Sequence, residues 1–242
     1  MSNDLRTESS PAAVPVAVVT GASQGLGQAL TAALVNRGWH VVIDARRSER
    51  LAEAVTAFGP DRVTPVVGDV TDPDHRDALV VAAHRQPGPV RLLVNNASTL
   101  GASPLPALDA VSPAVLERTF AVNVVAPVAL TAALLPELAP PATVVNITSD
   151  AAVEAYEGWG AYGSTKAALE HVSRVLAVEH PELRVLAVDP GDLRTEMHQD
   201  AFPGEDISDR PPPESAVPGL LALIEGDQPS GRYAASAVAA TP

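Results

Sequence analysis

The segment Val16-Ala-Val-Val-Thr20 is a short, mostly β-branched run that passes at once into Gly21-Ala-Ser-Gln-Gly25-Leu-Gly27 and then into a helix-compatible stretch, 28–36. Strand, glycine turn and helix in immediate succession leave few folds open. Glycines let the backbone approach a pyrophosphate, while the free N–H groups and positive dipole end of the helix stabilise its charge. The spacing is G-x-x-x-G-x-G rather than the common G-x-G-x-x-G, and three glycines near a turn are as readily structural as functional. The pattern then repeats. Apolar runs at 40–45, 62–67, 90–94, 143–148 and 183–189, with a final edge segment near 231–235, alternate with helix-compatible stretches at 48–58, 72–85, 112–138, from Tyr162 onward and at 214–225. This alternation predicts an α/β domain whose parallel sheet is doubly wound, with helices on both faces.

At 242 residues one such domain suffices, and the 46% apolar content, mainly Ala, Val and Leu, suits close helix-on-sheet packing. With no cysteine, the chain has no disulfide, thiolate metal site or thiol nucleophile, and no metal site is expected. A net charge of −13 opposes binding to nucleic acid or anionic lipid. No apolar run is expected to reach the ~20 residues of a membrane span, and the N-terminus lacks the order of a secretion signal. A soluble cytoplasmic protein is therefore expected. Residues 1–15 read as a flexible arm, 16–235 as the domain and 236–242 as a frayed tail.

The chemistry concentrates between Ser149 and Lys166. Tyr162 and Lys166 are four residues apart at the start of an Ala- and Leu-rich run, so on a helix both emerge on one face. A solvated pair is the commoner outcome for such a spacing. Held together in a cleft, the ammonium is expected to pull the phenol pKa down from about 10, as an acid/base group requires. Ser149 closes the β-branched run 143–148, and strand ends are where parallel sheets present functional groups.

Other positions leave alternatives open. Arg46-Arg47 lies at the tip of the second strand, where arginine pairs with a ribose 2′-phosphate, although a solvated helix start reads the same way. Asp44 is close enough to compete for the ribose, and strand alternation decides which way it faces. Asp69 either accepts from an adenine amine or caps the next helix. Asn95-Asn96-Ala97 either satisfies loop backbone or lines a crevice. Pro127 predicts a kink or break near Ala126 in the 112–138 stretch; Asn123, one turn earlier, is either a core amide or the holder of a bound water. Residues 192–213 form a long irregular segment that reads as a lid. Val153, Tyr156, Trp159 and 197–202 are expected to wall a hydrophobic pocket. The stretches 114–135 and 167–178 are apolar on more than one face, as in a subunit interface.

Taken together, Thr20-Gly-x-x-x-Gly-x-Gly27, Asp69, Asn95-Asn-Ala97, Asn123, Ser149, Tyr162-x-x-x-Lys166 and Pro190-Gly191 resemble the short-chain dehydrogenase/reductase family, in its single-domain branch with a seven-stranded Rossmann sheet. The resemblance runs from about Val16 to Arg232. It implies Tyr162 as the general acid/base, Lys166 as the residue that lowers its pKa and bonds the nicotinamide ribose, Ser149 as the group polarising the carbonyl, and Asn123 as the holder of a relay water. It further implies pyrophosphate binding by the turn of Gly21, Ser23, Gln24, Gly25, Leu26 and Gly27. Asp69 and Val70 would meet adenine, Asn96 and Ala97 the ribose region, and Thr195 the carboxamide beside Pro190 and Gly191. Members that prefer NAD carry an acid where this chain has Ala45. Arg46 and Arg47 follow, as in NADP-preferring members, so NADP(H) is the implied cofactor. A carbonyl or alcohol would be the small-molecule substrate and a homodimer or homotetramer the assembly. The rival readings are dehydration or isomerisation on the same scaffold and a nucleotide-sensing module. Ser98 departs from the usual Gly after Asn-Asn-Ala, and the Asp-Gly-Gly segment common after the last strand is missing.

Overall fold

A computed structural model describes residues 13–238. Most of the expected N-terminal arm and residues 239–242 of the expected tail lie outside the described residues; 235–237 form a 3-10 turn in which Ala235 is buried.

Seven parallel strands form one sheet in the order β3-β2-β1-β4-β5-β6-β7. In chain order they are β1 (Val16–Val19), β2 (His40–Ala45), β3 (Val63–Val67), β4 (Val90–Asn95), β5 (Leu138–Ile147), β6 (Leu183–Asp189) and β7 (Gly231–Ala234). The order reverses between β1 and β4, and in open α/β sheets the crevice at such a switch point takes the ligand. Both faces of the sheet are covered, which is why the central strands need no polar alternation. Ala17, Val19, Ile43, Leu92, Val94 and Leu186 point into one buried cluster, and Val16, Val18, Val42, Leu93, Val144 and Val185 into the other. Fully burying a Val or Leu side chain contributes about 1.5–3 kcal/mol.

The helices are α1 (Gly25–Asn36), α2 (Ser48–Phe58), α3 (Pro73–His84), α4 (Pro113–Phe120), α5 (Ala126–Leu134), α6 (Gly160–Glu179), α7 (Glu196–Ala201) and α8 (Val217–Glu225). Proline and a capping side chain start two of them. Asp72 accepts from Asp74 N–H at 3.0 Å ahead of Pro73, and Ser112 accepts from Val115 N–H at 3.3 Å ahead of Pro113.

The 112–138 stretch breaks near Ala126, as Pro127 led one to expect. A π-helical turn, Ala121–Val125, separates α4 from α5, and the last turn tightens to 3-10 at Leu135–Glu137 before Leu138 opens β5. Pro127 supplies the reason, since it brings no N–H to the carbonyl four residues back, that of Asn123. The expectation that no apolar run is long enough for a span is corrected. Pro113–Glu137 is 25 residues long with a mean hydropathy of 1.8 in its most apolar window, which meets the length and composition of one. Here it packs against α3, α6 and β5 as part of the domain.

Candidate active site

The glycine turn is held by residues far away in the chain. Asn96 donates its side-chain amide to Thr20 O at 2.8 Å and Gly21 O at 3.1 Å, while Thr20 Oγ1 accepts from the backbone N–H of Asn96 and Ala97, each at 3.0 Å. Gly21 has φ +65°, and a Cβ there would lie 2.9 Å from Ala97 Cα; one on Gly27 would lie 2.5 Å from Asn96 Nδ2. Both positions therefore require glycine. Asp44 is buried and turned into this scaffold, with one oxygen 2.6 Å from Gly21 N and the other 3.0 Å from His75 Nε2. It braces the turn from below.

The turn delivers α1 to the cleft with its N-terminus free. Gln24 makes no side-chain capping bond, the first turn holds no acid, and Gly25 and Leu26 border the opening. Gln24 Oε1 is buried without a hydrogen-bond partner. Ser23 lies within the same turn. An uncapped helix start with open N–H groups is a fitting site for a phosphate group.

The cleft has a volume of about 720 Å³ and runs from this turn to Ser149, Tyr162 and Lys166. Ser149 follows β5 and starts the 3-10 turn Asp150–Ala152, accepting Ala151 N–H at 3.2 Å. Tyr162 and Lys166 lie one turn apart on α6, both buried. Lys166 Nζ donates to Ile147 O at 2.8 Å and sits 5.4 Å from the centre of the Tyr162 ring.

Burial dominates both groups. It raises the Tyr162 phenol well above its ordinary value, an effect opposed by the hydroxyls of Ser149 and Ser98 and reinforced by the charges of Asp189 and Asp150. It lowers Lys166 to about 7. The expected depression of Tyr162 by its lysine is thus corrected for the chain alone, because the ammonium is itself destabilised by loss of water. Tyr162 is held as the neutral phenol.

Asn123 sits in the π-helical turn with its side chain fully engaged. Oδ1 accepts from Thr99 N–H at 2.9 Å and Ser98 Oγ at 3.1 Å, and Nδ2 donates to Thr99 O at 2.8 Å and Thr165 Oγ1 at 3.0 Å. Any water held by this residue falls to its main-chain carbonyl. The loop departure at Ser98 is absorbed by the same bonds.

Past β6, Pro190 and Gly191 border the cleft, and Thr195 caps α7 by accepting His198 N–H at 3.2 Å. The segment read as irregular therefore contains a short helix. Glu196 on α7 meets Arg50 at 2.7 Å and Arg47 at 3.4 Å, tying α7 to α2 across the mouth. Arg46 turns elsewhere. It borders a smaller cavity of about 110 Å³ with Gly68, Asp69, Val70, Ala97 and Arg118. Asp69 Oδ1 accepts from both the N–H and the hydroxyl of Thr71, at 2.9 and 2.8 Å, so it closes a turn, and Asp72 caps α3. Burial works against the Asp69 charge, but those bonds with Arg46 and Arg118 outweigh it and keep the carboxyl below its usual range.

The far wall is apolar. Trp159 meets the Tyr162 ring edge-on at 5.6 Å and lies 6.1 Å from Phe202, with Leu100 and Met197 beside them. Tyr156 joins this wall, whereas Val153, just beyond the 3-10 turn, is 60% exposed and does not border the cleft.

Sequence reasoning did not single out Arg232 on β7. Its guanidinium donates to Glu170 Oε1 at 2.8 Å and to Ser149 O and Asp189 Oδ2 at 3.3 Å each, and Thr148 Oγ1 donates to the same Glu170 oxygen at 2.8 Å. The edge strand thereby fixes the backbone of Ser149 to the end of β6. Its only local signal was a basic residue in an edge strand, which by itself is unremarkable.

The sequence profile described as short chain dehydrogenase matches residues 15–206. Sepiapterin reductase of Bos taurus is 35% identical over 199 residues, covering 75% of this chain and 74% of that protein. The benzil reductase ((S)-benzoin forming) of Saccharomyces cerevisiae is 32% identical over 196 residues, with 76% and 74% covered. A short chain dehydrogenase of Shigella flexneri, solved in complex with NADP, superposes with a TM-score of 0.84 at 27% identity over 93% of this chain and 98% of the other. Matched in profile, sequence and three-dimensional form over most of its length, the chain belongs to the short-chain dehydrogenase/reductase family.

Proposed function

We propose that this oxidoreductase interconverts a carbonyl and an alcohol with NADP(H), with Tyr162 as the general acid/base. The observation that carries the reading is the convergence of Ser149, buried Tyr162 and buried Lys166 at one end of a cleft whose other end is an uncapped helix start behind a glycine turn. The residues fit the cofactor. Gly21, Gly25, Leu26 and Gly27 hold the pyrophosphate at the α1 N-terminus, Asp69, Val70 and Ala97 border the adenosine end, and Lys166 holds the nicotinamide ribose. Pro190, Gly191 and Thr195 line the nicotinamide side. Arg46 is the better placed of the two arginines for a 2′-phosphate, since Arg47 is already engaged by Glu196. When bound, NADPH supplies the hydride.

The chain's own residues handle the proton. The raised pKa of Tyr162 keeps its proton in place at neutral pH, the state needed to protonate an oxygen that gains charge as a carbonyl is reduced. Ser149 Oγ orients that oxygen, and the apolar wall excludes water. Lys166, stabilised as the ammonium once acceptors enter the cleft, favours departure of the phenol proton. The Asn123 carbonyl, deprived of its helical donor by Pro127, holds the water that returns a proton from solvent. The segment 192–213 serves as the lid, anchored by Glu196.

The substrate reading draws on the aromatic wall and on two relatives whose names specify sepiapterin and benzil. Exposed valines on neighbouring helical elements support a homo-oligomer: Val125 and Val128 before and on α5, and Val175 and Val178 on α6. Loss of nicotinamide absorbance on mixing the protein and NADPH with a panel of aromatic ketones tests the proposal. Product formation without that loss would favour dehydration or isomerisation instead.

A further inference from the structure

Four carboxylates border the cleft, and three of them have a cationic partner. Asp189 meets Arg232 at 3.3 Å, Asp192 meets Arg210 at 3.7 Å, and Glu196 meets Arg50 at 2.7 Å. Asp150 has no ion pair among the described residues. It is also the one fastened to the reacting end. Its Oδ1 accepts from Ser149 Oγ at 2.9 Å and from Ala151 N–H at 2.8 Å, and its Oδ2 accepts from Tyr156 Oη at 2.9 Å.

These bonds hold the charge in place without neutralising it. A carboxylate only accepts, so Tyr156 and, until a carbonyl takes its place, Ser149 each point a proton at Asp150, and the anion stays half-buried between the catalytic serine and the aromatic wall. Its field reaches both tyrosines, opposing ionisation of Tyr162 and of Tyr156. The buried Lys166 gives its hydrogen bond to Ile147 and forms no ion pair with Asp150 among the described residues.

We propose that Asp150 makes the cleft selective for uncharged, ring-bearing carbonyl compounds and turns away carbonyl compounds that carry a carboxylate beside the reacting carbon. The proposal rests on the carbonyl-reductase reading and adds a substrate class to it. A carboxylate joined to a carbonyl bonded by Ser149 comes within about 6 Å of Asp150. At an effective dielectric of about 20, two like charges at that separation weaken binding roughly 100-fold. A neutral ester or amide of the same skeleton escapes this repulsion. The ring would stack in the aromatic wall of Tyr156, Trp159 and Phe202.

Benzoylformate and its methyl ester have the same phenyl ketone and differ in one charge. Their dissociation constants from the NADP⁺-loaded protein are to be measured calorimetrically for the wild type and for Asp150→Asn, a substitution that removes the charge, keeps one oxygen to accept from Ser149 and Ala151, and presents an amide N–H₂ for which Tyr156 Oη becomes the acceptor. The ester is expected to bind at least 10-fold more tightly than the acid in the wild type, with the ratio falling to within about threefold in the variant through tighter binding of the acid. Equal binding in the wild type, an unchanged ratio in the variant, or failure of both ligands to bind would overturn the proposal. Oxidation of NADPH by the ester is read separately. Ester that binds selectively and leaves NADPH unoxidised would count against the redox reading while leaving the selectivity standing.

Discussion

Lys166 Nζ lies 5.4 Å from the centre of the Tyr162 ring and gives its hydrogen bond to the carbonyl of Ile147. The two groups share a cavity without sharing a proton, and each is buried enough that its charged form is disfavoured. A cofactor that brings anionic and hydroxyl acceptors into this space changes the balance for the lysine first.

That gives a measurable proton linkage. Lys166 titrates at about 7 in the folded chain against 10.5 ordinarily, so between these values the unfolded chain holds the proton that the folded chain has released. The contribution of this group to stability therefore rises with pH from about 7 toward 10 and is lost on acidification through 7. NADPH binding near pH 8 is expected to take up close to one proton. Calorimetry in buffers of different ionisation enthalpy measures it, and Lys166→Met should abolish the uptake.

Tyr162→Phe removes only the hydroxyl from a buried ring and leaves its packing on Trp159 in place. Turnover is expected to fall about 10²- to 10⁴-fold, the usual worth of a positioned general acid, with NADPH affinity changed by less than about threefold. Initial rates and cofactor fluorescence titration check the two halves. A variant with unimpaired rates would remove Tyr162 from the mechanism.

The two arginines after β2 should separate cleanly. Arg46 borders the cavity that holds Asp69 and Arg118, and Arg47 faces Glu196 at 3.4 Å. Arg46→Ala is expected to weaken NADPH by about 10- to 100-fold and NADH by far less, since a charge-assisted bond contributes about 1.5–3 kcal/mol. Arg47→Ala should cost less than Arg46→Ala with NADPH. Equal losses for both cofactors in Arg46→Ala would show that it does not read the phosphate.

Val178 is 81% exposed on α6 and Val125 is 58% exposed just before α5. These open apolar residues are the basis of the proposed homo-oligomer. The wild type is expected to sediment as a homodimer or homotetramer, and Val178→Glu combined with Val125→Glu to shift it toward monomer. An unchanged sedimentation coefficient would place the interface elsewhere.

Much of this was legible in the residue order because it rests on local chemistry. β-branched runs of strand length marked the sheet, helix-compatible stretches opened at 72 and 112 where Asp72 and Ser112 cap α3 and α4, and four-residue spacing put Tyr162 and Lys166 on one face. What stayed hidden is joined over long separations. Asp44 reaching Gly21, Asn96 reaching Thr20 and Arg232 reaching Ser149 span 23 to 83 residues and leave no periodicity to read. The π-helical turn was foreshadowed by Pro127, but proline alone does not say which irregularity relieves the lost bond. The start of β5 was missed because Pro140-Pro141 lie inside it, and prolines within a run read against a strand. Tyr162 and Lys166 were misjudged electrostatically because spacing gives proximity and says nothing of how much water is lost.

The clasp of Arg232 on Ser149 and Asp189 places part of the hold on residue 149 in a segment synthesised more than 80 residues later. A nascent chain emerging only through Glu225 already contains the glycine turn, Tyr162 and Lys166, yet only the β5–β6 ladder, ending with Thr148 N–H on Val188 O, holds the serine's neighbourhood to β6. Proteolytic clipping just ahead of β7 would leave the same unfinished product, with the Ser149 carbonyl and Asp189 released from their shared guanidinium. In this molecule the last strand completed is the one that finishes the hold on Ser149.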